Sequence, residues 1–278
     1  MNNVVKRVIL FVFAIPALLS LIMFLPQLNH LALIILAVIV GVLCGMEVRK
    51  MMSNVAKPMG LWTIFIPAVA PLASWAQGME LISPIIPDFL LTAGVLWALS
   101  DSILAKEAEF SNGITRVGTR LIMVMYPGWL LWWIGEFTWF DNANILMLIF
   151  VLTVYLNDSL AWFFGMLFGR HRGIVKVSPK KSLEGYIAGI FTSVTVILIS
   201  ARLRPDILPH PLWQLIIFGL IMAFTTISGD LAESVLKRAT GVKDSGNVIL
   251  GRGGMLDSID SILFSAPVFV LFLKLGGL

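Results

Sequence analysis

Long apolar runs alternate with short polar ones along the whole chain. A helix needs about 20 mostly apolar residues to cross a bilayer. Runs that qualify fall at roughly 8–26, 29–46, 60–77, 82–100, 119–135, 143–166, 186–201, 212–229 and 259–276. The pattern predicts an all-α polytopic membrane protein of about nine transmembrane helices. Pro84 and Pro87 fall inside the fourth run and predict a broken helix there. The first run follows Lys6 and Arg7 as a signal peptide would. Pro16 and Pro26 bracket no small-residue cleavage site, so it reads as a retained first span.

Charge orients these spans. With the N-terminus in the cytoplasm and the C-terminus outside, every Lys and Arg except Arg202, Arg204 and Lys274 falls on the cytoplasmic side. Positive residues concentrate there in membrane proteins, and a wrong span count would scramble the alternation. Trp132, Trp133 and Trp139 near an outer boundary fit an aromatic belt.

Composition agrees: 58% of the 278 residues are hydrophobic and 13% charged, which excludes an ordinary soluble domain. The single Cys44, in an apolar run, has no partner for an internal disulfide. His30, His171 and His210 are too scattered to suggest a zinc site. No nucleic-acid partner is expected, and the net charge of +4 means little beyond its distribution among loops. Residues 1–135 read as plain transmembrane helices facing lipid or another subunit. Residues 136–278 read as the catalytic transmembrane region with its cytoplasmic loops.

Three polar elements stand out. The first, Tyr155-Leu-Asn157-Asp158-Ser159-Leu-Ala-Trp162, lies toward the cytoplasmic end of the sixth run. An ionised Asp158 is costly there unless partnered, which marks a functional acid, while Asn157 also suits an interhelical clamp. The second runs from Arg170-His171-Arg172 through Lys176 to Ser178-Pro179-Lys180-Lys181-Ser182-Leu183-Glu184-Gly185. Ser178 before Pro179 predicts a helix N-cap with Pro at the first position. Such a terminus beside two lysines is suited to an anion, and equally the loop suits anionic lipid headgroups.

The third element spans Gly229 to Asp260. Asp230, Glu233 and Ser234 share one helix face at i, i+3, i+4, and Asp257 and Asp260 share another at i, i+3. Opposed, these faces would line a pocket with oxygen for Mg²⁺, ringed by Lys237, Arg238, Lys243 and Arg252. Gly251, Gly253 and Gly254 form a loop whose N–H groups can approach phosphate. Acids and bases gathered at one membrane face suit phosphoryl or nucleotidyl transfer between a water-soluble and a lipid substrate.

In these residues the chain resembles the CTP:phosphatidate cytidylyltransferases, or CDP-diacylglycerol synthases. The likeness is carried by Asn157-Asp158-Ser159-Leu-Ala161-Trp162 with Gly165 and Gly169, and by Ser178 to Gly185. It continues in Ser234-Val-Leu236-Lys237-Arg238, Lys243-Asp244-Ser-Gly246, and Arg252-Gly253-Gly254-Met255-Leu-Asp257-Ser258-Ile259-Asp260. It implies transfer of cytidylate from CTP to phosphatidate, giving CDP-diacylglycerol and pyrophosphate in phospholipid biosynthesis. It also implies Mg²⁺, with room for a second, monovalent cation.

Position by position, the resemblance implies Asp230, Asp257 and Asp260 as metal carboxylates and Asp158 and Asp244 as supporting acids. Lys180, Lys181, Lys237, Arg238 and Lys243 would hold phosphates, and Ser178, Ser182 and Ser234 would donate hydrogen bonds. Glu184, Arg252, Gly253 and Gly254 complete the expected substrate contacts. The resemblance suggests a homodimer among membrane lipids. Short spans without organelle targeting point to a bacterial inner membrane, with the site facing the cytoplasm.

The chain departs from the pattern at four positions. Arg252 replaces the signature His, Ser258 the Arg between the two acids, Leu250 a small residue or Pro, and Trp162 a Tyr. One positive group is gained and one lost, so Arg252 is expected to take over the missing phosphate contact. Alternatives are a CTP-transferase for another lipid phosphate, a catalytically silent homologue, or an ion-coupled transporter. Transport would spread acids through the bilayer depth, and here they gather at one face.

Overall fold

The computed structural model describes residues 3–103, 107–249, 251 and 253–276. They form helices α1 (Asn3–Phe24), α2 (Gln27–Met52), α3 (Ile66–Gly78), α4 (Ile85–Ser100), α5 (Gly113–Met123), α6 (Leu130–Glu136), α7 (Ala143–Phe168), α8 (Leu183–Leu203), α9 (Leu212–Ala239) and α10 (Leu256–Leu275). The described residues hold no strand, only isolated bridges between Arg172 and Ser182 and between Ile249 and Gly253. Each predicted apolar run coincides with helical backbone. Among the described residues five helices, α2, α7, α8, α9 and α10, are long and apolar enough to cross a membrane. Shorter apolar helices cover Phe13–Phe24 and Ile85–Ser100. The protein is an all-helical integral membrane protein.

The chain divides into two compact units, Met1–Trp139 with Ala239–Ser258, and Phe140–Arg238 with Ile259–Leu278. In the first, α2 buries Ile34, Ala37, Gly41, Cys44, Val48 and Met51. Their spacing of three and four is the apolar stripe of a helix seated on neighbours. It packs along α3, and α3 packs along α6. Indole N–H groups tie the edges: Trp75 donates to the Leu28 and Asn29 carbonyls at 3.0 Å and Trp139 to that of Ser74 at 3.0 Å. Asp101 receives Arg116 at 3.0 Å and Arg120 at 2.9 Å, and Arg120 also donates to the Lys57 carbonyl at 3.1 Å.

One expectation about proline is corrected in this unit. Helix α4 is not broken: Pro84 stands at its N-cap and Pro87 in its first turn, where a missing N–H costs nothing. The interruption falls in the run at 119–135, where α5 and α6 are separated by a π-helical segment, Val124–Trp129. Pro127 inside it cannot complete the α-helical ladder.

The second unit joins α7 to α8 and α9 to α10. Phe269 meets Phe150 and Phe218 with ring centres 5.4 and 5.3 Å apart. Asn157 is the clamp between α7 and α8, its Nδ2 donating to the Gly189 carbonyl at 2.9 Å and to Ser193 Oγ at 2.8 Å. Between α9 and α10 runs a polar seam: Ser261 Oγ donates to the Thr226 carbonyl at 3.1 Å, and Thr226 Oγ1 lies 3.0 Å from Ser265 Oγ. Small and hydroxylated residues bind helices where water does not drive association. Gly229 sets their spacing, because a Cβ there would lie 2.6 Å from the Asp260 carbonyl oxygen.

Candidate active site

In the second unit the polar elements converge on Lys181. Its ammonium is ion-paired with Asp230 of α9 and lies 5.9 Å from the centre of the Tyr186 ring. Asp158 of α7, Asp260 of α10 and Lys237 of α9 act on it electrostatically. Burial pushes this ammonium below the ordinary lysine range. Asp158 and Asp260 pull upward against it, and Lys237 adds to the lowering.

The loop sequence explains how Lys181 arrives there. Residues 178–181 make a turn, closed by the Lys181 N–H on the Ser178 carbonyl at 3.2 Å, with Pro179 at the second position. Helix α8 then begins at Leu183, capped by Ser182, whose Oγ accepts from the Gly185 N–H at 3.2 Å. The predicted cap at Ser178 is therefore corrected. Pro179 pre-sets a turn here, not a helix, while Ser182 has the extended backbone an N-cap requires, at φ −118° and ψ 156°. Arg172 fastens the loop to the end of α7, donating to the carbonyls of Gly165 at 2.8 Å, Gly169 at 3.2 Å and Lys180 at 2.8 Å. The Gly165 carbonyl also accepts from the Gly169 N–H at 3.2 Å, so Arg172 reinforces the last bond of the helix. Glu184 holds the other side, accepting from the His171 N–H at 3.2 Å and pairing with its Nδ1 at 2.7 Å.

On α9, Glu233 is fully buried and ion-paired with the buried Lys237, one turn along the helix. Ser234 is buried and Arg238 exposed. Asp260 is buried, its Oδ1 accepting from the Ser261 N–H at 2.6 Å. Lys180 is exposed and Ser178 half-buried.

The first unit carries the rest of the signature. Lys243 and Asp244 are exposed, and the loop beyond them is pinned by carboxylates. Asp257 Oδ2 accepts from the Ser245 N–H at 2.8 Å and the Gly254 N–H at 2.7 Å, and Ser245 Oγ lies 2.9 Å away. Ile249 and Gly253 exchange backbone hydrogen bonds at 2.8 and 3.1 Å. Glu47 of α2 lies beside the same loop, and sequence reasoning passed over it. A lone acid near the end of a span gives no local signal of partners 198 residues on. Arg252 and Leu250 lie outside the described residues.

Among the described residues, no three His, Cys, Asp or Glu side chains are grouped as a preformed metal cage. The acids around Lys181 are nevertheless hard oxygen donors already organised about a positive charge, which suits a cation such as Mg²⁺.

The Cytidylyltransferase family matches residues 5–276. The chain belongs to the cytidylyltransferase family. The phosphatidate cytidylyltransferase of Staphylococcus saprophyticus is 31% identical over 268 residues, 93% of this chain and 97% of its own. That of Staphylococcus aureus (strain COL) is 32% identical over the same shares. YnbB of Escherichia coli (strain K12), an uncharacterized protein, is 31% identical over 191 residues, 67% of this chain. The match covers 62% of YnbB, less than two thirds of its length. Within this family, the departure at Ser258 has a local role: its Oγ donates to the Gly254 carbonyl at 3.2 Å, one turn back.

Proposed function

We propose that this protein transfers cytidylate from CTP to phosphatidate, releasing pyrophosphate and leaving CDP-diacylglycerol in the membrane. The observation that carries it is the Lys181–Asp230 ion pair set among Asp158, Asp260 and Lys237. A phosphate oxygen of phosphatidate attacks the α-phosphorus of CTP, and the bond from that phosphorus to the bridging oxygen breaks. The attacking oxygen is already ionised, so no side chain has to remove a proton. Lys181 and Lys237 hold phosphate charge, and Asp230 and Asp158 keep the Lys181 ammonium aimed. The family likeness implies Asp230, Asp257 and Asp260 as the carboxylates that would hold Mg²⁺, and the cation would supply positive charge to offset the negative charge that develops in the transfer.

Nine spans, with the N-terminus cytoplasmic and the C-terminus outside, belong to the same proposal. The concentration of Lys and Arg in alternate loops supports them. So do a bacterial inner-membrane location with the site facing the cytoplasm, and the homodimer that the family likeness suggests.

The test gives purified protein in detergent labelled CTP, phosphatidate and Mg²⁺. Label should appear in a lipid product, and Asp260→Asn should lower its rate at least about a hundredfold. No labelled lipid from the unsubstituted protein, where a staphylococcal relative works, would sink the proposal.

A further inference from the structure

Glu47 takes no part in the reaction as written, yet it is a buried acid of α2 set beside the first unit's polar loop. It is 5% exposed, within the last two turns of α2. A buried carboxylate is tolerated only where donors meet it. Its Oε1 accepts from the Met255 N–H at 2.8 Å, and its Oε2 from the Leu256 N–H at 2.9 Å and from Ser245 Oγ at 3.0 Å. The first amides of a helix have no partner within it, and their positive end favours a carboxylate. Glu47 thus caps α10 from 208 residues away.

The same helix end grips the loop again. Asn54, just past α2, donates from Nδ2 to the Thr240 carbonyl at 3.0 Å. Arg49 fixes this end of α2 by donating to the Met59 carbonyl at 2.8 Å. The segment 240–256 is therefore held at Thr240 by Asn54, and at Ser245, Met255 and Leu256 by Glu47. Between these grips lie Lys243, Asp244 and Gly253, which the family resemblance implies as substrate contacts or a supporting acid. Ser245 sits between two acids, offering one hydroxyl proton to Glu47 and Asp257. Thr240, Ser245, Met255 and Leu256 are thus held from the end of α2, far away in sequence.

We propose that Glu47 is a positioning residue that fixes the 243–257 loop for the triphosphate of CTP. This rests on the cytidylyl-transfer reading above. Glu47→Gln leaves one acceptor oxygen for two backbone N–H groups, and Glu47→Asp keeps the charge but shortens the reach.

The experiment pairs steady-state kinetics with hydrogen exchange of the 245–257 peptides in the full-length protein. In Glu47→Gln the exchange of those peptides should accelerate. The KM for CTP should rise about tenfold, that for phosphatidate staying within about twofold. Glu47→Asp should fall between Glu47→Gln and the unsubstituted protein in both measures. Unchanged exchange, or a uniform loss of rate tracking the unfolded fraction with both KM values unmoved, would overturn the inference. Faster exchange with an unmoved KM for CTP would overturn it too. Turnover absent in the unsubstituted protein would instead refute the reaction itself, and the exchange data would then decide whether Glu47 holds the loop.

Discussion

Lys181, in the loop ahead of α8, is ion-paired with Asp230 of α9. The two side chains are 33% and 27% exposed, so water screens the pair and its contribution to stability is small, about 1 kcal/mol or less. Its value must lie elsewhere if it persists at a membrane surface. Lys181→Met should therefore separate the two roles. Activity should fall about a hundredfold or more, while the thermal unfolding midpoint in detergent stays nearly unchanged. A variant with full activity would remove Lys181 from the site.

The lowered pKa of Lys181 gives the pH dependence its sign. The group is charged only below that lowered value, so its hold on phosphate is complete at lower pH. It is lost, as the pH rises, sooner than an ordinary lysine with its pKa of 10.5 would lose it. Stability runs the other way. Below the lowered pKa the fold carries a charge only partly desolvated, and that small penalty is relieved as the pH climbs from there toward 10.5. Substrate KM should thus rise on the alkaline side, and Lys181→Arg should carry that limb upward, since guanidinium does not titrate in this range. KM profiles of the two proteins that superimpose would count against the assignment.

Asn157 stands next to Asp158 but has a different task. Its Nδ2 bridges α7 to α8 through Gly189 and Ser193. Side-chain hydrogen bonds between membrane helices are individually modest, and truncating Asn157 removes two of them at once. Asn157→Ala should lower stability by about 1–2 kcal/mol, with KM for both substrates unmoved at temperatures where it stays folded. Thermal unfolding together with kinetics at two temperatures would check this. A raised KM at low temperature would mean that Asn157 touches substrate.

These residues also show what the sequence reveals and why. The helices were legible because apolar runs of bilayer length have few other uses. Asp158, Lys181, Asp230 and Asp260 were legible because charge beside a membrane is costly and needs a reason. The cap at Ser182 was not, since Ser178 before Pro179 carries the stronger local signal and only the folded turn shows which serine is extended. Pro84 and Pro87 misled for a similar reason: a proline breaks a helix or starts one according to its distance from the first turn. Glu47 was hidden because its partners are backbone amides of a distant loop, and no spacing in the chain connects them.

Gly254 offers the most local test of that loop. A Cβ there would lie 2.0 Å from Ser245 Oγ, 2.5 Å from Glu47 Oε2 and 2.6 Å from the Gly246 nitrogen. Ser245 Oγ and Glu47 Oε2 belong to the first unit's hydrogen-bond network and cannot yield without breaking a bond that holds Asp257 or the start of α10, and the third atom is backbone. Gly113, at the start of α5, has nothing within 4 Å of the same added atom. The two glycines therefore predict opposite results from one substitution. Gly254→Ala should lower kcat/KM for CTP at least about tenfold and destabilise the protein by about 1–3 kcal/mol, the usual cost of overpacking. Gly113→Ala should leave the kinetics alone and leave stability equal or raise it by about 0.4–1 kcal/mol, because alanine has fewer unfolded conformations to lose. Both measurements belong on the same preparation, with thermal unfolding beside cytidylate transfer. If the two variants behave alike, the close packing around Gly254 does not govern the loop.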